Sequence, residues 1–221
     1  MRIKRLQLSN FRPYRDVDIN LINDEDRAII IGSNDVGKTE LLNSIYWCVW
    51  GELLTKKTEY NKFITSYNTS DQILGIFNSS AFSELAVNEF FKTSVRITYI
   101  LSKEEIFNRI DDSGELEIER NFYVGKDDDS RLKFFTSKKI EASSINDLDE
   151  VNPYRINEWP NTFFLRHPTK DSNSQISEEP ENDRESYFPN QEVTKFFMLD
   201  TTLLSTYLDN SQSNNKKISI V

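Results

Sequence analysis

The chain has 221 residues, of which 37% are hydrophobic and 12% aromatic, so it can bury a sizeable core and is not disordered throughout. The single cysteine, Cys48, excludes an internal disulfide framework. No apolar run approaches the roughly 18 residues of a membrane span. These two features predict a cytoplasmic protein with no membrane segment. The net charge of −9 disfavours nonspecific attraction to nucleic acid, although an average over the chain does not describe any one face.

Strands are predicted before the first helix. Residues 4 to 8 look like a strand, and residues 16 to 21 alternate apolar and polar side chains, as a half-buried strand does. We expect these two strands to pair. The next run, Ala28 to Ile31, is apolar at every position, which is typical of a central strand covered on both faces.

A phosphate-binding loop follows that strand. Residues 32 to 39 fit the pattern G-x-x-x-x-G-K-[ST] without a mismatch, between a buried strand and a helix, as the motif requires. Loop N–H groups and the helix dipole attract phosphate, the lysine reaches the β- and γ-phosphates, and the threonine hydroxyl binds Mg²⁺. The alternative is a glycine turn that merely joins strand to helix. The predicted ATP-binding residues are Gly32, Ser33, Asn34, Asp35, Val36, Gly37, Lys38, Thr39 and the following Glu40.

The helix after the loop is apolar over most of its circumference. Leu41, Ile45 and Val49 form one stripe, and a second apolar stripe lies beside it. Such a helix is expected to lie within a core, and Gly51 is placed to end it.

The middle of the chain predicts one helix and several strands. The helix spans Ala81 to Phe91, and strands follow at Val95 to Leu101 and Leu116 to Val124. Arg131 to Phe135 is expected to pair with the latter in a hairpin, with the acidic run Asp127 to Asp129 in the turn.

Some surface candidates have two interpretations. Arg131, Lys133, Lys138 and Lys139 fit a solvated basic face better than a contact with a DNA backbone. Trp159, Phe163 and Phe164 are expected in the core rather than in a partner-binding patch. The only histidine, His167, is expected on the surface, because a zinc cluster or a catalytic triad needs more partners.

The last third contains an acidic segment and a second apolar run. Residues 169 to 188 are rich in acidic and small polar residues, which predicts a disordered surface insertion, with a regulatory or partner-binding role as the alternative. Phe196 to Asp200 predicts a short strand, followed by a helix through Leu208.

Two parts of a complete ATPase are missing from the sequence. No two glycines are adjacent, so nothing matches the signature motif that completes an ABC-type ATP site from a second subunit. No strand ends convincingly in Asp-Glu, and Thr201 stands after Asp200 where a general base is expected. No catalytic residue is assigned, and we expect this chain by itself to be unable to hydrolyse ATP efficiently.

These features together resemble the N-terminal half of the head domain of SMC-like ATPases, the DNA-repair and condensin relatives with long coiled coils. The opening Leu6 to Tyr14 looks like the family's first strand followed by Asn-Phe-Arg, and the loop at Gly32 to Thr39 follows at the family's distance. Leu41 to Gly51 looks like its first helix, and the segment 196 to 204 is similar to the stretch around its Q-loop. The last segment and Tyr46-Trp47-Cys48 look closest to the DndD-type branch of bacterial DNA modification and defence.

The resemblance implies an α/β fold of the ABC-type P-loop class, with an antiparallel β subdomain and a mixed central sheet across residues 1–221. It implies that Arg12 approaches the phosphates and that Asp200 senses Mg²⁺, although Arg12 fits an ordinary surface arginine and Asp200 a helix N-cap as well. A coiled coil and a C-terminal lobe with the missing motifs are expected to follow. Two heads would then sandwich ATP and couple closure to double-stranded DNA and to repair or defence partner subunits.

Two functions from other classes stay open at this point. One is a self-contained small P-loop NTPase or kinase that uses Asp200 as its Walker B carboxylate. The other is a noncatalytic ATP-binding module that serves as an assembly switch.

Overall fold

A computed structural model describes residues 1–21, 37–51, 76–101, 114–151, 161–167, 175–188 and 191. The chain divides into two compact units, Met1–Tyr187 and Phe188–Val221. In the first unit the elements are β1 Arg2–Phe11, β2 Tyr14–Asn20, α1 Lys38–Trp50, α2 Ser79–Glu84, β3 Phe90–Ile100, β4 Glu115–Lys126, β5 Leu132–Thr136, β6 Asp149–Val151, β7 Thr162–His167, β8 Gln175–Ile176 and α3 Pro180–Tyr187.

The described strands form one eight-stranded antiparallel sheet in the order β2-β1-β3-β4-β5-β6. Strand β4 has β3 on one side, while β5 and β7 share its other side at different heights, and β8 extends β7. The predicted pairing of the first two strands and the predicted β4–β5 hairpin are confirmed. The acidic turn closes this hairpin because the Asp127 carboxylate accepts the N–H of Arg131 at 2.7 Å.

Helix α1 packs across β3 and β4 and forms the centre of the core. Tyr46, Trp47 and Cys48 are fully buried, which confirms the prediction of a helix enclosed within a core. The Trp47 ring lies 5.4 Å from Phe11 and 6.0 Å from Phe122, so the helix contacts both the first strand and the middle of the sheet. Burial of this much aromatic area fixes the helix position more firmly than helix propensity does.

The opposite face of the sheet carries a charged network around Glu119, which is 2% exposed. Its carboxylate accepts hydrogen bonds from Lys92 at 2.7 Å and from Arg96 at 2.6 Å. Burial alone raises the pKa of Glu119, but the charge of Lys92 and its hydrogen bond, together with Asn121 and Arg96, hold that pKa below its ordinary value. The neighbouring positive charges and hydrogen bonds therefore stabilise the ionised form of the buried Glu119 carboxylate.

The helix predicted from Ala81 to Phe91 is shorter than expected. Helix α2 begins after Asn78, whose side chain accepts the N–H of Ala81 at 2.9 Å, and it ends at Glu84. Phe90 and Phe91 instead belong to β3, where they pair with β4. Pairing with a central strand outweighs the local helical pattern at those two positions.

The acidic segment also differs from the expectation of disorder over residues 169–188. Its described part, from residue 175, forms β8 and helix α3. Helix α3 contributes no buried residue and is attached to the core by charged side chains: Arg184 stacks over the Trp50 ring at 4.7 Å. Composition-based reasoning counted apolar surface and did not anticipate stabilisation by cation–π and ionic contacts.

Several predicted elements lie outside the described residues. They include the central strand Ala28 to Ile31, the strand Phe196 to Asp200 with its following helix, and therefore the mixed central sheet. Among the described helices, none is both long and apolar enough to cross a membrane.

Candidate nucleotide-binding site

The described part of the phosphate loop is its C-terminal end, where the loop becomes helix α1. Gly37 is the helix N-cap, and Lys38, Thr39 and Glu40 form the first turn. Gly32 to Val36 and Asp200 lie outside the described residues. Of the strand, loop and helix that the motif requires, the described residues contain the helix and its N-cap.

Gly37 has a backbone conformation and a close neighbour that both favour glycine. Its φ is 95°, and a Cβ atom at this position would lie 2.9 Å from the hydroxyl oxygen of Tyr14. That hydroxyl donates a hydrogen bond of 2.7 Å to the Gly37 carbonyl, which also accepts the N–H of Leu41 at 3.0 Å. Burial, with the charge of Glu40, raises the pKa of Tyr14, so the phenol stays protonated as a donor. The β1–β2 turn therefore holds the end of the loop.

Arg12, in the same β1–β2 turn, contacts the first turn of α1. Its guanidinium Nη1 donates to a carboxylate oxygen of Glu40. The same Glu40 oxygen accepts a hydrogen bond of 3.3 Å from the Asn43 side chain. The structure thus brings Arg12 of the β1–β2 turn against the first turn of α1, which consists of the predicted residues Lys38, Thr39 and Glu40.

The Arg12 backbone is held in an unusual conformation. Its φ is 49°, in the left-handed region that costs most residues free energy. Its N–H donates to the carbonyl of Ile76 at 2.7 Å, and its carbonyl accepts the side chain of Asn78 at 2.7 Å. These two bonds compensate for the strain and fix the point from which the guanidinium projects.

The other end of helix α1 is capped by arginines from distant elements. Arg120 of β4, which is 3% exposed, donates to the carbonyls of Cys48 at 3.0 Å and Val49 at 3.2 Å. A cation at these carbonyls satisfies acceptors that the helix leaves free and matches the negative end of its dipole. Burial lowers the pKa of Arg120, and the charge of Glu181 opposes that effect.

Arg120 also links α1 to the acidic helix α3. Glu181 of α3 accepts a hydrogen bond of 3.2 Å from Arg120 and pairs with Arg184. Gly51, at φ 73°, ends the helix as predicted, and the Arg120 guanidinium lies 3.1 Å from where a Cβ would stand. The two ends of α1 are therefore both fixed by contacts from other parts of the fold.

Three of the basic residues weighed for DNA contact have carboxylate partners. Lys133 pairs with Glu150 at 2.5 Å, Lys139 pairs with Asp147, and Arg131 lies 3.3 Å from Asp129. These pairs agree with a solvated face of mixed charge.

Of the predicted aromatic cluster, Phe163 and Phe164 are buried, while Trp159 lies outside the described residues. His167 ends strand β7, and its side chain is not among the described ones.

Sequence reasoning missed three residues that shape the site: Tyr14, Asn78 and Arg120. Tyr14 belonged to the quoted opening motif but received no role. Arg120 stands between Ile118 and Phe122 on the apolar face of β4, and a charged residue at such a position was the available signal. Asn78 gave only the ordinary signal of a helix N-cap.

Comparison with known proteins gives a family and some partial relatives. The model of a family described as AAA domain matches residues 5–219. The DNA replication and repair protein RecF of Clostridium kluyveri is 33% identical over 76 residues, which cover 34% of this chain and 20% of RecF. RecF of Clostridium tetani is 34% identical over 77 residues, or 35% of this chain and 20% of the relative. The matched region therefore spans about a fifth of each RecF chain.

A solved structure from work on ATP-driven dimerisation and DNA-stimulated activation of SMC ATPases aligns with 95% of this chain and 98% of its own. Its sequence identity is 14% and its TM-score is 0.37.

Proposed function

This chain belongs to the AAA domain family of P-loop ATPases, and we propose that it binds Mg-ATP as the N-terminal part of an SMC-like ATPase head. In this proposal the phosphates lie against the loop Gly32 to Thr39 and the first turn of α1. The chemistry that the bound nucleotide supplies is transfer of its γ-phosphoryl group to water in a complete ATPase.

One observation carries the proposal: the guanidinium of Arg12 lies on the first turn of the helix that also carries Lys38 and Thr39. The Arg12 side chain thus lies beside the first turn of α1, where the positive end of the helix dipole favours an anion such as phosphate. Gly37 keeps its carbonyl bonded to Tyr14 and Leu41, which fixes the start of the helix. The residues present fit a nucleotide.

Residue roles follow from this arrangement. Lys38 would neutralise charge on the β- and γ-phosphates, the exposed Thr39 would supply its hydroxyl to Mg²⁺, and backbone N–H groups of Gly32 to Gly37 would bind the phosphates. Arg12 adds a charge-assisted hydrogen bond to a phosphate oxygen. Asp200 stays a proposed Mg²⁺-sensing residue, on the basis of the family resemblance alone.

For the whole protein we propose ATP-dependent pairing of two heads, each completed by a C-terminal lobe, coupled to double-stranded DNA. RecF is a DNA replication and repair protein, which favours a role in DNA repair, and bacterial antiviral defence is the second setting. The sequence supports the need for a second lobe, because it has neither adjacent glycines nor a convincing Asp-Glu strand end.

Calorimetric titration of the full chain with Mg-ATP tests the binding site. Lys38→Ala is expected to abolish measurable binding because it removes the cation next to the phosphates, while the circular dichroism spectrum stays that of the wild type. Lys4→Ala is the matched control: it removes the same charge from a side chain that pairs with Glu115 on another part of the sheet. Equal affinity of the wild type and Lys38→Ala contradicts the assignment.

Light scattering at saturating Mg-ATP addresses head pairing, with the wild type and Lys38→Ala both prepared in a protein that includes the proposed C-terminal lobe. A dimer that forms with the wild type and not with Lys38→Ala supports it, and a wild type that stays monomeric counts against pairing by this chain. Sustained ATP turnover by the isolated chain favours the self-contained NTPase or kinase instead.

A further inference from the structure

We propose that Glu40 competes with the nucleotide phosphates for the guanidinium of Arg12, so that Glu40 lowers the affinity of the site for ATP. This inference rests on the proposed function, because it concerns how the same site is regulated. It assigns to Glu40 a role opposite to that of a phosphate-binding residue.

The contact itself is the first step. Arg12 Nη1 donates to Glu40 Oε2, and the two side chains are only 20% and 26% exposed. Water screens a pair at this depth less than a pair on the open surface. The ionic contact therefore has to be broken or rearranged when Arg12 takes another anion.

The position of Glu40 is the second step. It is the acidic residue in the first turn of α1, where the helix dipole favours negative charge. The same dipole favours phosphate, so a carboxylate and a phosphate are both stabilised by the same positive potential. Asn43 also donates to the Glu40 carboxylate at 3.3 Å, which helps to keep it beside Arg12.

The third step is that Arg12 can change partners without moving its backbone. Its N–H and carbonyl are both bonded to the segment at Ile76 and Asn78, so the main chain is fixed. Its Nε is buried and has no hydrogen-bond partner among the described residues, so the contact with Glu40 leaves one N–H of the guanidinium unsatisfied. In this proposal the Arg12 side chain turns from Glu40 to a phosphate oxygen while its backbone stays in place.

A double-mutant cycle on ATP affinity tests this competition in the full chain. Glu40→Gln removes the charge and keeps the shape, and we expect it to tighten Mg-ATP binding about three- to tenfold. In an Arg12→Ala background the same change is expected to give less than a twofold gain, because the contested guanidinium is gone. Arg12→Gln, which keeps more of the side chain, replaces Arg12→Ala if the alanine variant has a lowered Tm.

Glu84→Gln is the matched control. It makes the same chemical change in a carboxylate that pairs with Arg15, which lies three residues after Arg12 in the chain. The Arg15 and Glu84 side chains are both more than half exposed. We expect wild-type affinity for this variant.

Three results overturn the inference: Glu40→Gln binds no tighter than the wild type, its gain persists without Arg12, or Glu84→Gln gives an equal gain. A gain that persists without Arg12 means that Glu40 acts as a general negative charge and not through this arginine. If the wild type binds ATP no better than Lys38→Ala, the proposed function itself fails, and the inference fails with it.

Discussion

Substitution of Gly37 by alanine tests how the start of helix α1 is held. Alanine at φ 95° carries a backbone penalty of about 1–2 kcal/mol. Its Cβ would lie 2.9 Å from the Tyr14 hydroxyl oxygen, so the hydroxyl has to move and its 2.7 Å bond to the Gly37 carbonyl is lost, at about 1 kcal/mol. The expected loss is about 2–3 kcal/mol of unfolding free energy.

Urea unfolding followed by circular dichroism measures this loss. Tyr14→Phe supplies the diagnostic partner, because it removes the oxygen that clashes and leaves the ring carbon at 3.3 Å. We expect Gly37→Ala to cost about 1 kcal/mol less in the Tyr14→Phe background than in the wild type.

Gly51→Ala is the control for the free-energy cost of placing alanine at a left-handed φ. Gly51 has a φ of 73° and lies near Arg120, not Tyr14, so its cost should be the same with or without the tyrosine hydroxyl. The reasoning is refuted if Gly37→Ala leaves the unfolding free energy unchanged, or if its cost does not depend on Tyr14.

Two further predictions concern the charged groups of the sheet. Arg120→Met should lower the unfolding free energy measured in urea by about 3–5 kcal/mol. Arg120→Lys should recover only part of this loss, because one ammonium cannot reach all four partners of the guanidinium, which are the Cys48 and Val49 carbonyls and the Asn161 and Glu181 side chains. A loss below about 1 kcal/mol for Arg120→Met contradicts the capping role. The pKa of Glu119 is lowered in the fold, so its ionised form stabilises the protein above the unfolded pKa and this contribution is lost as pH falls through the folded pKa. Urea midpoints should therefore fall less steeply for Glu119→Gln than for the wild type between about pH 5 and pH 3, and parallel curves contradict this.

Elements with a strong local pattern were predictable from the sequence. Helix α1 combines a phosphate-loop motif, two apolar stripes and a terminal glycine within one short stretch, and the structure places it at Lys38–Trp50. The β1–β2 pair was predictable because alternation marks the half-buried second strand. In both cases the information lies in neighbouring residues.

Contacts between distant residues were not predictable in the same way. The Tyr14–Gly37 bond depends on the strand register and on a left-handed Arg12 in the turn, and neither leaves a local pattern. Arg120 reaches carbonyls 71 and 72 residues earlier in the chain, which only the packing of α1 on β4 brings within range. Residue type suggested that Arg120 was unusual, but its partners required the fold.

The anchoring of helix α1 at both ends has a mechanical consequence. Its 13 residues form a rod about 20 Å long, held at the loop end by the β1–β2 turn and at the other end by Arg120. A rod fixed in this way transmits displacement along its axis instead of absorbing it. Helix α3 is joined to the same end of the rod as Arg120, because Glu181 accepts a hydrogen bond from the Arg120 guanidinium.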